Sequence, residues 1–183
     1  IPDLSRFQMS QITDDMVALL RKRAYDLAGT CKGVSVYLNG EKIKFNSFKS
    51  YIDKFHFVAD KEGETDIETE FSSIIYNETE RWQVGVIYAP DQNHKQISYV
   101  NNICTYHGGT HVNHVVDAIV DKIKAAILKK QKKMIIKPQT IKDHLIVFVN
   151  AIIAQPNFTS QVKETLKTKV SDFGSKCEFT PKF

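Results

Sequence analysis

Gln161 and Lys163 stand one residue apart in the run Asn157-Phe158-Thr159-Ser160-Gln161-Val162-Lys163-Glu164. A lysine ammonium is a compact positive charge on a flexible stem, suited to a phosphate oxygen. Upstream lies the apolar, β-branched stretch Leu145–Ile153, about the length of one buried strand. Pro156 ends it, and Thr159 or Ser160 is suited to cap a first helical turn. The pattern therefore predicts Gln161 and Lys163 at a loop-to-helix junction beyond a rigid strand. Backbone N–H groups at that helix start would add to the attraction for an anion. Taken alone, the same residues also describe an ordinary solvated helix turn, the usual setting of a lysine.

A second cluster is Lys129, Lys130, Lys132 and Lys133. Such a run suits either a solvated helix end, where cations complement the helix dipole, or contact with phosphates of a nucleic-acid backbone. Four phosphate contacts correspond to a salt slope of at most about −3.6. Lys122, Lys124 and Lys137 would widen the patch. A third cluster, Cys104, His107, His111 and His114, has the spacing C-x2-H-x3-H-x2-H, which invites a zinc reading. His111 and His114, however, lie at a Gly108-Gly109 helix start, where a hydrogen-bonded histidine is unremarkable, and no metal is expected. Asp14, Asp15, Asp26 and Glu80 form no obvious catalytic pair.

The elements that must position these groups follow in order. Residues 1–12 read as an extended entry. Thr13 caps a helix with Asp14 and Asp15 in its first turn, Met16, Leu19, Leu20, Ala24 and Leu27 on its apolar stripe, and Gly29 as its stop. Val34, Val36 and Leu38 alternate into an Asn39-Gly40 hairpin turn, with Ile43 and Phe45 on the return strand. Ser47 opens a short helix. Residues 57–69 read as a polar loop, and strands follow at about 70–77, 81–89 and 96–104. A long helix at about 110–130 buries Val112, Val115, Val116, Ile119, Val120, Ile123, Ala126 and Ile127. Pro138 starts a brief turn, and the tail reads as a helix-strand-helix remnant. Trp82 belongs in the core beside Val84 and Val86. This mixture predicts an α+β or α/β layer fold.

Hydrophobic content of 42% and charged content of 25% are those of a soluble globular chain, and 183 residues suffice for a substantial core. No apolar segment has membrane length, and no secretory leader is expected. Three widely spaced cysteines fit reduced thiols. A net charge of +4 is too small to imply nucleic-acid binding without the local lysine run. The chain starts at Ile1 rather than Met, as expected of a piece of a longer protein. With eight glycines and no glycine-rich phosphate loop, it is not expected to hydrolyse ATP alone.

The Gln161–Lys163 run resembles the Gln-Thr-Lys loop of the eukaryotic type IIA DNA topoisomerases. Asp14 to Gly29 resembles that family's first transducer helix, and Val36-Tyr37-Leu38-Asn39-Gly40 its first hairpin. Ser98-Tyr99-Val100-Asn101-Asn102 with Gly108-Gly109-Thr110-His111-Val112 resembles its central strand-to-helix junction. Phe173-Gly174-Ser175 onward resembles the lead into its exit helix. These runs come in family order and cover nearly the whole chain.

The resemblance implies a mixed four-stranded sheet backed by helices, with a left-handed βαβ crossover where the general rule gives a right-handed one. It implies an entry segment at 1–12 from a GHKL-type ATP-binding domain, a transducer domain at 13–172 and an exit segment at 173–183. Lys163 then reaches the γ-phosphate of ATP held next door and stabilises the transition state, with Gln161 beside it. Val162 stands where the family usually has Thr. After hydrolysis the loop and the strand Leu145–Ile153 shift as a lever. The base and the magnesium ligand belong to the neighbouring domain. Lys129, Lys130, Lys132 and Lys133 match a lysine-rich loop facing the transported duplex. The implied parent is a nuclear, homodimeric, ATP-hydrolysing topoisomerase acting on DNA, with no membrane role. Competing readings are a stand-alone nucleic-acid-binding domain using the lysine run and a small zinc enzyme using the histidines.

Overall fold

The protein is described here by a computed structural model covering residues 3–59, 74–90, 93–180 and 183. It divides into two compact units, Ile1–Tyr51 and Ile52–Phe183. That division falls inside the stretch 13–172 expected to be one domain.

In the first unit a 3-10 turn, Ser5–Phe7, interrupts the entry expected to be extended. Helix α1, Asp14–Thr30, starts as expected: the Thr13 side chain accepts from the Met16 N–H at 3.4 Å. Its apolar stripe does not bury as expected. Met16, Leu19 and Leu20 are 40%, 56% and 63% exposed, and burial concentrates at Asp26, Ala28, Gly29 and Thr30. A unit of this size has little chain with which to cover a whole helix face. Gly29 lies within α1 rather than ending it. A methyl there would sit 2.6 Å from Tyr51 Cβ and Cγ, so the glycine serves close packing. The Tyr51 hydroxyl donates to Asp26 Oδ1 at 2.7 Å, and Lys22 Nζ pairs with Asp26 Oδ2 at 2.7 Å. The buried carboxylate is thereby neutralised and hydrogen-bonded.

Strands β1, Tyr37–Leu38, and β2, Glu41–Lys42, form the expected hairpin. Asn39 and Gly40 take φ of 52° and 86°, the left-handed pair that a two-residue turn of this hand requires. Helix α2, Phe48–Ala59, is opened by Ser47, whose hydroxyl accepts from the Ser50 N–H at 3.2 Å.

The second unit is built on a mixed sheet backed by helices. Its strands are β3 Ile75–Glu78, β4 Trp82–Tyr88, β5 Lys95–Val100, β6 Ile103–Cys104 and β7 Leu145–Ala151. Their order is β3-β4-β7-β5-β6, five strands where four were expected. The strand expected to run unbroken from Gln96 to Cys104 instead folds back. Asn101 and Asn102 take φ of 49° and 64°, making a two-residue turn between β5 and β6. Residues 57–59 of the expected 57–69 loop belong to α2, and the residues from 60 onward, residues 70–73 of the following strand and positions 91 and 92 lie outside the described residues.

Strand β7 occupies the centre, antiparallel to β4 and parallel to β5. Both its faces are covered, so it reads as one continuous apolar run rather than an alternating one. A parallel neighbour requires a crossover, and helix α3, Thr110–Lys130, supplies it. Val112, Val115, Val116, Ile119 and Val120 form its buried stripe as expected, joined by partly buried Ile123, but the stripe fades before the helix ends: Ile127 is half-buried and Ala126, expected inside, is exposed. Helix α4, Pro138–Lys142, has its proline in the first turn, where no backbone N–H is missed.

The tail is not the expected helix-strand-helix remnant. Beyond β7 the described chain is irregular except for a 3-10 turn, Val170–Asp172. It is held by side chains instead. Phe173 is buried against Trp82, and Trp82 Nε1–H donates to Ser175 Oγ at 2.9 Å. Asn77 Nδ2 donates to the Glu178 carbonyl at 2.9 Å while its Oδ1 accepts from the Thr180 N–H at 3.0 Å. No described helix is long and apolar enough to cross a membrane.

The packing of Gly29 is testable. Alanine favours a helix over glycine by about 1 kcal/mol, but overpacking a filled contact costs about 1–3 kcal/mol. Because Tyr51 is anchored at its hydroxyl, Gly29→Ala should lower the urea midpoint with an unchanged m-value. A raised midpoint would show that Tyr51 moves aside freely.

Candidate functional site

The segment carrying Gln161 and Lys163 is not a helix start. Residues 157–168 form an excursion closed at its base by Lys167 N–H to the Asn157 carbonyl at 2.8 Å and Thr159 N–H to the Thr165 carbonyl at 3.1 Å. At its tip the Lys163 N–H donates to the Ser160 carbonyl at 3.1 Å, closing a turn with Gln161 and Val162 at its centre. The main-chain N–H of Thr159 and carbonyl of Ser160 close this excursion, and no helix follows for their hydroxyls to cap.

Lys163 has φ of 64°, a left-handed conformation uncommon for a residue with a side chain. Gln161, Val162 and Lys163 are all exposed. Lys163 Nζ lies 6.0 Å from the Phe158 ring centroid, the outer limit of a cation–π contact. The tip therefore presents an amide and an ammonium to solvent, on a turn closed by one main-chain bond. A nearby open cleft of about 470 Å³ is lined by Asn157, Lys167, Lys169 and Asp172 among others, and neither Gln161 nor Lys163 lines it.

The excursion is fastened to the start of α3. Leu166 N–H donates to the Gly108 carbonyl at 3.0 Å, and Thr110 N–H donates to the Leu166 carbonyl at 3.1 Å. His107 N–H donates to the Glu164 carbonyl at 3.0 Å. Thr110 Oγ1 donates to the Thr168 carbonyl at 2.7 Å. At Gly109, with φ of 133°, an added Cβ would lie 2.3 Å from the Leu166 oxygen and 2.6 Å from its nitrogen. The Leu166 side chain is buried in the core. Gly108 and Gly109 thus allow the tight entry expected into the long helix, and Gly109 also makes room for another segment's backbone. Nothing in the local sequence pairs these two stretches, which lie over fifty residues apart.

Beneath this junction is a buried polar chain. Ser98 Oγ lies 2.5 Å from Thr105 Oγ1, which lies 3.2 Å from His111 Nε2. His111 is fully buried, and its Nδ1 has no hydrogen-bond partner among the described residues. Burial lowers its pKa from 6.5 to about 3, because an imidazolium would lose its hydration and leave an Nδ1–H without an acceptor.

The Cys104, His107, His111 and His114 cluster does not converge. Cys104 is half-buried on β6, and His107 points to Glu164 at 3.8 Å at an exposed pair. His111 faces Thr105, and His114 packs against Trp82 and Phe173. Among the described residues no three such side chains gather as a metal set.

Lys129 and Lys130 end α3, and Lys132 and Lys133 follow it, all exposed. Lys124 and Lys137 are also outside the core, but Lys122 Nζ is held over the stacked Phe179 and Phe183 rings at 5.4 and 5.9 Å. The two candidate cationic sites thus lie at opposite ends of one 21-residue helix, about 30 Å long at 1.5 Å per residue.

Comparison with known proteins adds to this geometry. The family model described as DNA gyrase B matches residues 38–178. DNA topoisomerase 2-beta of Gallus gallus is 44% identical over 183 residues, 100% of this chain and 11% of that protein. The chain thus spans about a tenth of that relative's length. The ATPase region of Saccharomyces cerevisiae topoisomerase II superposes with a TM-score of 0.81 at 39% identity, covering 98% of this chain and 43% of that one. The ATPase and transducer domains of DNA topoisomerase II from Balamuthia mandrillaris superpose with a TM-score of 0.85 at 36% identity, covering 100% and 43%.

The buried histidine has a pH consequence. Its folded pKa is below its unfolded value, so its contribution to stability is complete above about pH 6.5 and is lost as pH falls toward 3. The slope reaches at most about 1.4 kcal/mol per pH unit. Urea unfolding of the wild type and of His111→Gln at pH 7 and pH 5 should show a loss of up to about 2 kcal/mol that the variant lacks. Parallel losses in both proteins would mean that His111 titrates normally.

Proposed function

Because the chain belongs to the DNA gyrase B family and corresponds to part of a type II topoisomerase ATPase region, we propose that it is the transducer of an ATP-dependent DNA topoisomerase II. The transducer is residues 13–172, with the sheet-bearing unit as its centre, between the entry segment 1–12 and the exit segment 173–183. The crossover through α3 is left-handed in this reading. Lys163, with Gln161, meets the γ-phosphate of ATP bound in the adjacent GHKL domain. Hydrolysis is relayed from there to the DNA gate during double-strand passage. Lys129, Lys130, Lys132 and Lys133 contact the backbone of the transported duplex. The parent works as a nuclear homodimer. Magnesium and the catalytic base lie in the adjacent domain, and the isolated chain does not turn ATP over.

The observation that carries this reading is the conformation of Lys163. A lysine held left-handed at an exposed turn costs roughly 1–2 kcal/mol, and such outliers persist where surroundings over-determine them, most often at functional sites. Here the surroundings are the backbone bonds from Asn157 to Thr168. The result is a lysine whose main chain is braced and whose ammonium reaches into solvent from that fixed point, where it can meet a developing phosphate charge. Nothing in the geometry favours the alternative of a stand-alone nucleic-acid-binding domain, which would leave this arm without a role.

In the full-length enzyme, Lys163→Ala should lower kcat for ATP hydrolysis about 10²–10³-fold, by analogy with loss of one preorganised donor, and nucleotide binding less. Stopped-time ATPase assays with a melting curve as control check this. Turnover like the wild type's would mean that the arm does not reach the phosphate.

Replacing Lys129, Lys130, Lys132 and Lys133 together by Ala should reduce DNA-stimulated hydrolysis and strand passage equally on all DNA sequences, since phosphates carry no sequence information. The salt dependence of DNA binding should become shallower by up to about 0.9 per lost contact. Full DNA stimulation at physiological salt would return these residues to the role of a solvated helix end.

A further inference from the structure

We propose that Gly109 and Thr110, at the start of α3, are positioning residues for Lys163, and that α3 rather than β7 is the element that moves with the lysine arm. The inference rests on the reading of Lys163 as the γ-phosphate contact. A lever through Leu145–Ile153 would require that strand to hold the arm. β7 ends at Ala151, and the arm begins at Asn157, after Gln155 with φ of 46° and Pro156. The arm's polar contacts go elsewhere. Gly108 O, Thr110 N and Thr110 Oγ1 bond to Leu166 and Thr168, and His107 N bonds to Glu164. These attachments begin at Glu164, the residue after Lys163.

The contact at Gly109 has no slack. Leu166 oxygen and nitrogen occupy the space where a Cβ would stand, and both are backbone atoms without a rotamer to yield. Leu166 is also pinned from its other side by the core. The first turn of α3 and the arm therefore form one piece, and a displacement at Lys163 is a displacement of α3. Because α3 ends at Lys129 and Lys130, an event at the phosphate end is delivered along the helix to the lysine end. By reciprocity, a ligand on the lysine end biases the arm.

Thr110→Val removes the hydroxyl bond to Thr168 while keeping the side-chain shape and the amide bond to Leu166. Thr110→Ser retains the hydroxyl. In the full-length enzyme Thr110→Val should lower kcat for ATP hydrolysis about three- to tenfold, the worth of one ordinary hydrogen bond, with KM for ATP changed less than about twofold. Thr110→Ser should restore kcat. In a Lys163→Ala background Thr110→Val should add less than about a twofold loss, because both act on the same contact. Gly109→Ala should approach the Lys163→Ala loss; if that protein does not fold, the Thr110 series decides alone. Wild-type kcat in Thr110→Val beside a strong Lys163→Ala effect overturns the positioning role and leaves the proposed function standing. Multiplying losses in the double variant also overturn it. A Lys163→Ala enzyme that turns over normally removes the proposed function and this inference together.

Discussion

The second unit depends on two backbones lying in contact at Gly109 and Leu166. With any side chain at Gly109 the Leu166 peptide would be displaced, and with it the buried leucine that plugs the core beside α3. That contact closes the excursion from 157 to 168 onto a helix more than fifty residues earlier. It converts a stretch with little regular structure into a braced arm. Closing so long a loop costs conformational entropy, and the return comes from Leu166 burial and from backbone bonds that would otherwise be unmade.

Buried polar groups cluster around the same junction. Ser98, Thr105 and His111 run beneath the start of α3, and Asn101 exchanges bonds with Ile153, its Nδ2 donating to the carbonyl at 3.0 Å and its Oδ1 accepting from the N–H at 2.9 Å. Hydrogen bonds inside a core are directional, so they fix the register of the β5–β6 turn against the end of β7 more tightly than apolar packing would. The charges, by contrast, stand at the periphery. Lys163 is at the arm's tip and the lysine run is at the negative end of α3, where the helix dipole favours cations. The groups that hold the junction are thus mostly main-chain amides and hydroxyls, and the lysines stand away from it.

Local signals in the chain marked several of its elements. Thr13, Ser47 and Pro138 mark helix starts, Asn39-Gly40 marks the hairpin, and the valine–isoleucine spacing marks the buried face of α3. The apolar run, broken only by Asn150, marks β7 as a strand covered on both faces. What misled was chemistry that serves two structures. Asn101-Asn102 reads as ordinary strand interior until both take left-handed φ. Gly29 reads as a helix stop because nothing local announces Tyr51. Thr159 and Ser160 read as caps because their real role depends on Thr165 and Lys163, in a turn closed from a distance. Long-range backbone contacts of the Gly109–Leu166 kind leave no periodicity, so the residues that brace the candidate site were the least legible part of it.

Val162 shows what this bracing makes unnecessary. The resemblance leads one to expect threonine there, and a hydroxyl could in principle hold the turn. In the structure the turn is held by the Lys163 N–H on the Ser160 carbonyl, and the excursion by bonds between main-chain atoms and the Thr168 hydroxyl. The Val162 side chain is 69% exposed and supplies none of these bonds. A β-branched residue still limits the accessible backbone conformations of the tip, which valine does as well as threonine. The substitution therefore removes a polar group from the surface and leaves the geometry of Gln161 and Lys163 to the backbone. A turn positioned by main-chain bonds tolerates exchange of the side chain between Gln161 and Lys163, because what it requires at that position is a conformation and not a contact.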